Sequence, residues 1–455
     1  MDILVLFLKL QVLNYINKKI KLRNSSSIFT ECVNPKKTNK IIFLYIAILM
    51  VVSFTPYSKA IPFLALPLLF HLVFTMTKTS FLAIKKIKFL YRILALGFIV
   101  VFFHFTEYNL YYVARDIIYF IQAPMFIIIG ICLCNSFFDF KYLLKVIIVT
   151  SFIVTLYLLL ELVKDPSLFL QLGLVTRTNY NLSNPSALLI FTILFYTRKA
   201  NIKMFKNSVE LLIMSISFFS VLISFSRTFY ILLLVMISLY YIHNYKNILK
   251  MYWVSVFFAL FVIFGGLFIT VKEDVSQDVT FESKMSHSLD EIIVKDYDSR
   301  FEIMQNWRGY EAFLGLSKFY EGNVFELLVG QGFGAVTYTP YWIYEGDEQF
   351  SGLDVLPMFH NGFITILLKT GIIGLLFFFL FLYKLLVQAF RVINSSFDKY
   401  RQLIVLLLQA VVFTILFRTF VVHGIFTTTI PFELLILLGA TIKMSLLEQT
   451  DVIKN

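Results

Sequence analysis

The residue best placed for chemistry is a histidine. His360 and Asn361 stand where a polar stretch of 87 residues (272–358) runs back into an apolar one. Imidazole titrates near neutrality, so it can take or give a proton at ordinary pH. Nine intervening residues separate Asn361 from Gly371, and two more separate Gly371 from Gly374. On a continuous helix turning about 100° per residue, Gly371 falls about 20° from His360 and Gly374 about 40° the other way. The three then share one face, which the glycines open to a close neighbour. The spacing predicts an imidazole held at the edge of an apolar helix, on its packed side. It fits equally a histidine that caps an interfacial helix containing glycines.

Cations are the second ingredient. Residues 300–316 read as one amphipathic helix, with Arg300, Ile303, Met304, Trp307 and Leu314 on a single stripe. Arg300 therefore falls on the buried face beside Trp307, and Arg308 is turned to the side. A buried guanidinium demands an anion, either a nearby carboxylate or a ligand. Arg227 lies in Ser224-Phe225-Ser226-Arg227-Thr228, a hairpin-length link between apolar runs. Gly330-Gln331-Gly332-Phe333-Gly334 lacks the strand before and helix after that a phosphate-binding loop requires, so it predicts a tight turn. Asp296-Tyr297-Asp298 has the form of a divalent-metal pair, but three-residue matches are common and no metal is expected. Residues 335–350 are aromatic and acidic, a composition suited to stacking on sugars and equally to an ordinary interfacial loop.

The elements that must position these residues are membrane helices. Mean hydropathy is +0.80, with 59% hydrophobic and 15% charged residues, more apolar surface than a soluble domain can bury. Cys32, Cys132 and Cys134 match no metal site, and the polar stretch has no cysteine, which excludes a disulfide framework there. The expected fold is all-α: a polytopic membrane protein with about twelve spans and one large extracytoplasmic loop. The spans fall at 41–57, 60–76, 90–106, 111–135, 142–163, 184–197, 208–225, 226–243, 252–271, 359–383, 402–421 and 428–446. Residues 1–40 form a basic cytoplasmic segment with an interfacial helix, 41–271 the N-terminal bundle and 272–358 the external loop. The C-terminal spans occupy 359–446, and 447–455 a cytoplasmic tail. Alternate connections hold 27 Lys and Arg against ten on the other side, which puts both termini in the cytoplasm. The loop carries 16 of the 28 acids, so the formal charge of +12 belongs to cytoplasmic anchors and nucleic-acid binding has no support. Charges inside spans (Arg115, Asp116, Glu161, Glu210, Lys369, Arg418, Glu433) are expected to serve structure before catalysis, and Lys369, opposite His360, must find a partner or water.

Taken together, these features resemble the bacterial O-antigen ligase/polymerase family, polytopic enzymes with a large extracytoplasmic loop near the C-terminus. The resemblance rests on His360-Asn361 with Gly371 and Gly374, on Arg300 with Trp307, on Leu328-Val329-Gly330-Gln331-Gly332, and on Ser226-Arg227. It covers roughly residues 180–380. Leu328 and Val329 stand where the family usually has a proline.

The resemblance implies an inner-membrane, metal-independent, inverting glycosyltransferase without cofactor. Its donor is a polyprenyl-diphosphate-linked oligosaccharide, and its acceptor a hydroxyl on another lipid-linked repeat or on the lipopolysaccharide core. His360 would take the acceptor proton. Arg227 and Arg300 would neutralise the diphosphate, with Asn361, Trp307, Gly371 and Gly374 in support. A chain-length regulator is a further implied partner, beside membrane lipid. The large loop favours a polymerase of surface polysaccharide, O-antigen or capsule, over a ligase. A flippase or other transporter is the alternative of another class, but internal repeats of the kind transporters carry are not found. A metal-dependent enzyme using polyprenyl-monophosphate sugars would carry acids in the first external loop, which here has only Ser58-Lys59.

Overall fold

Long apolar segments leave the chain no way to satisfy its amides except within the segment, and here they become helices. The computed structural model describes residues 35–52, 60–104, 108–164, 185–224, 226–244, 294–296, 299–340, 355–393, 399–427 and 431–454. The chain divides into two compact units, Met1–Ile48 and Leu49–Asn455. The described part of the first is the opening of α1 (Pro35–Val52); the interfacial helix expected in the basic tail lies outside the described residues.

The second unit runs through α2 (Ile61–Phe74), α3 (Lys78–Ile84), a 3₁₀ turn (Lys85–Ile87), α4 (Lys88–His104), α5 (Leu110–Leu133) and α6 (Phe137–Lys164). Then come α7 (Pro185–Lys199), α8 (Asn207–Ile223) and α9 (Arg227–Asn244). Within the polar stretch lie α10 (Arg300–Gln305), α11 (Trp307–Tyr320) and α12 (Val324–Val329). Strand β1 (Thr337–Tyr338) pairs antiparallel with β2 (Val355–Leu356), Thr337 opposite Leu356. The chain ends in α13 (Gly362–Ile393), α14 (Lys399–Val421) and α15 (Phe432–Lys454). The last helix continues past 446, where the final span was expected to stop.

Among the described residues, five segments are long and apolar enough to cross a membrane: Lys78–His104, Leu110–Leu133, Phe137–Leu160, Gly362–Val392 and Lys399–Val421. Shorter apolar helices cover Ile41–Val52, Ile61–Phe74, Asn207–Ile223 and Thr228–Tyr241. The expected span at 252–271 lies outside the described residues. This is a helical membrane protein. Its outward rings and aliphatic chains, such as Phe63, Phe70, Phe102 and Leu160, are exposed, as lipid-facing residues are.

At the centre sit α14 and α15, apolar around most of their circumference and buried along most of their length. Helix α5 packs backbone to backbone against α15, and glycines on both sides allow it. A Cβ on Gly130 would strike the Ile436 carbonyl, and one on Gly439 the Ile127 carbonyl.

The residue count from His360 to Gly374 assumed one continuous helix, and the backbone departs from it. His360 precedes α13, whose first turn is capped by the Asn361 side chain accepting from Phe363 N–H at 3.0 Å. At Gly371 the helix breaks, with φ 66° and ψ −172°. What comes close there is the last turn of α12 and the glycine loop that follows it. A Cβ on Gly330 would lie 2.6 Å from Gly371 N, and one on Gly371 would strike the Leu328 carbonyl. Gly374 faces Thr370 of its own helix.

Candidate active site

The break in α13 frees backbone groups inside the protein, and the loop after α12 satisfies them. Gln331 N–H donates to the Leu368 carbonyl at 2.8 Å and Gly332 N–H to the Lys369 carbonyl at 3.1 Å. Gly330, Gly332 and Gly334 all have positive φ, so 330–334 forms the tight turn expected, preceded by a helix rather than a strand. Phe333 is fully buried, its ring edge-on to Phe98 at 5.5 Å and tilted against Phe120 at 4.8 Å. Tyr108 Oη donates to the Gln331 carbonyl at 2.6 Å, and Gln331 Nε2 to the Lys318 carbonyl at 2.7 Å. This segment of the polar stretch is thus plugged into the helix bundle.

A buried charge network holds the plug. Lys369 has no exposed surface; its Nζ reaches Asp116 Oδ2 at 2.5 Å and donates to the Ala335 carbonyl. Asp116 also accepts from Arg115 at 2.9 Å and from Gly334 N–H at 2.9 Å. Lys369 has the partner it required, and Arg115 and Asp116 pair as adjacent residues. Two other carboxylates within helices are hydrogen-bonded, Glu433 accepting from Ser186 at 2.7 Å and Glu210 from the amides of Met204 and Phe205, and the Glu161 side chain lies outside the described residues.

Anchored this way, the polar stretch presents α11 to the start of α13. Gly315 allows the approach, since a Cβ there would lie 2.6 Å from Ile364 and 2.9 Å from Phe359. Phe359, Ala312, Phe319, Leu356 and Ile364 form one buried cluster against which Trp307 packs. Glu311, also buried, accepts from His360 twice, from its N–H at 3.1 Å and from Nδ1 at 2.5 Å. With Nδ1–H donated to the carboxylate, Nε2 keeps its lone pair, and it has no partner among the described residues. A base oriented by a buried carboxylate is what proton abstraction from a hydroxyl needs.

His423, just past α14, completes the arrangement. Its ring lies 4.5 Å from that of His360, tilted by 31°. Its N–H donates to the His360 carbonyl at 2.6 Å, and its Nδ1 donates to the Phe359 carbonyl at 2.7 Å. Burial first, then the His360 ring, push its pKa down to about 4, with Arg308 adding to the effect and Glu311 and the Phe359 carbonyl opposing it. Gly362 makes room, since a Cβ there would lie 2.7 Å from the His423 carbonyl oxygen.

Of the residues singled out from the sequence, His360, Asn361 and Trp307 come together here. Residues 300–316 form two helices rather than one: Asn306, at φ −113° and ψ 33°, separates α10 from α11. Arg300 opens α10 and is half-buried, one helix removed from Glu311. Arg308, which the helical count turned aside, is the cation felt at His423. Arg227 begins α9, and its side chain, like Tyr297-Asp298 and residues 341–354, lies outside the described residues. No cluster of three or more His, Cys, Asp or Glu suited to a metal occurs among the described residues. Sequence reasoning missed two residues, Glu311 and His423. Glu311 had a signal: it sits four residues after Trp307, on the apolar stripe, where an acid is out of place. His423 had none.

Scanned against protein-family models and against curated proteins, the chain matches none.

Proposed function

We propose that the protein is a polymerase of surface-polysaccharide repeats, transferring a glycan from a polyprenyl-diphosphate donor to a hydroxyl of a lipid-linked acceptor. The single observation that carries this is the Glu311–His360 pair, an oriented imidazole in a helical membrane protein at the junction of its polar stretch with a long apolar helix. The acceptor O–H gives its proton to His360 Nε2 as its oxygen attacks the anomeric carbon. The bond from that carbon to the diphosphate oxygen breaks, and the electron pair leaves with the lipid diphosphate. Attack opposite the leaving group inverts the anomeric configuration. Glu311 stabilises the imidazolium, as a buried carboxylate does in other base–orienter pairs. Guanidinium groups at Arg300, Arg227 and Arg308 meet the charge that develops on the diphosphate, through charge-assisted contacts that need no metal.

The test uses the full chain in lipid vesicles with lipid-linked single repeats taken from a strain that lacks it. Wild type should lengthen the repeats in the presence of EDTA. His360→Ala, inserted normally, should lengthen them about 10²–10⁴-fold more slowly. Equal rates for the two would remove His360 from the chemistry. Transfer only to a lipopolysaccharide core, with no lengthening, would make the protein a ligase.

A further inference from the structure

The second histidine has a chemistry of its own. Two non-glycine residues have positive φ among the described residues, Asn201 at 54° and His423 at 50°. Asparagine adopts that conformation readily, and Asn201 follows the end of α7, where such residues commonly sit. Histidine beside a second left-handed residue, Gly424, is less ordinary, and a conformation of this kind persists only where its surroundings over-determine it. The surroundings here are the two hydrogen bonds to Phe359 and His360, one from the ring and one from the backbone.

These bonds decide the tautomer. A carbonyl only accepts, so the bond to Phe359 requires the proton on Nδ1. Nε2 of His423 is left with a lone pair, and it has no hydrogen-bond partner among the described residues. His360, held by Glu311, has the same arrangement. The site therefore presents two imidazole acceptors side by side, only one of them backed by a carboxylate. The groups facing His423 are His360 from the start of α13 and Glu311 and Arg308 from α11. A ring with a depressed pKa beside a better-supported base has little use as a second base, but it makes a fixed acceptor for a donor that stays protonated.

We infer that His423 binds the acceptor sugar through a second hydroxyl neighbouring the one that His360 deprotonates, so that the site takes an acceptor with two adjacent hydroxyls rather than an isolated alcohol. This rests on the function proposed above. His423 donates nothing to the reaction and removes no proton; Nε2 accepts one hydrogen bond and sets which oxygen faces His360.

The discriminating variant is His423→Asn. Asparagine tolerates positive φ, and its Nδ2 can keep the bond to the Phe359 carbonyl, but it has nothing at the place of Nε2. The rate of chain lengthening is followed against the concentration of lipid-linked single repeat, in vesicles, at several pH values. The expected result is a KM raised about tenfold, the worth of one hydrogen bond between uncharged partners, with kcat near the parent value and an unshifted pH profile. An unchanged KM would overturn the inference. So would a fall in kcat matched by a shifted pH profile, which would put His423 on the proton path. His360→Ala run alongside separates the two claims: if it lengthens chains at the parent rate, the proposed function fails, whatever His423→Asn does.

Discussion

At the scale of single residues, the Glu311–His360 pair makes a sharp demand. In Glu311→Gln the amide can offer an N–H to Nδ1 and favour the opposite tautomer, which places the ring proton on Nε2 and removes the base. Chain lengthening should fall about 10²–10⁴-fold while insertion and fold survive. Vesicle assays of wild type and variant at matched protein level check this. A second demand concerns acid. The His423 pKa, near 6.5 in the unfolded chain, is about 4 in the folded protein. Between those values the unfolded chain binds a proton that the folded one refuses, so this stability contribution is complete above pH 6.5 and is lost as pH falls toward 4. Thermal unfolding in detergent should show Tm falling over that window in wild type, and falling less in His423→Asn. Equal slopes would contradict the assignment. Residue chemistry was partly legible beforehand. His360 stood out because a titratable ring opens an apolar run, whereas Glu311 stood among the loop's 16 acids, marked only by its place on the apolar stripe four residues after Trp307.

At the scale of elements, the broken helix and the glycine loop define each other. Gly371 needs positive φ and has Leu328 and Gly330 against it, so Gly371→Val is excluded on two grounds. Gly374 has no positive φ, but a Cβ there would strike the Thr370 Cβ, which side-chain rotation does not move, so Gly374→Ala is disfavoured on this one ground. Yield of folded protein by detergent gel filtration should therefore collapse for the first and fall by less for the second. The buried Lys369–Asp116 pair is a related case. Removing Asp116 leaves the fully buried Lys369 without its anion, and Asp116→Asn should cost about 3–5 kcal/mol, seen as a lowered Tm or lost expression. Asp116→Asn combined with Lys369→Met should recover part of that loss. Hydropathy alone located α4, α5, α6, α13 and α14, because a span is a local property of the sequence. The break at Gly371 was not legible. Glycine interrupts neither the apolar run nor its period, and the loop that fills the gap lies far back in the chain. Asp116 was equally hidden as the partner of Lys369, although the need for some partner followed from burial alone.

At the scale of the whole molecule, the polar stretch is not an appendage to the bundle. Residues 330–335 lock into it through Phe333 and the Asp116 network, and that lock fixes α11 and hence Glu311 over His360. Substitutions that loosen the lock should therefore lower activity without touching the site. The measurement that tests the central claim most directly is deletion of the gene in its own host, with the surface glycan run on a gel. Restoring the wild-type gene and His360→Ala in turn completes it. A polymerase predicts that deletion leaves acceptors carrying a single repeat, that wild type restores the ladder and that His360→Ala does not. An unchanged ladder after deletion, or a full ladder from His360→Ala, would contradict it.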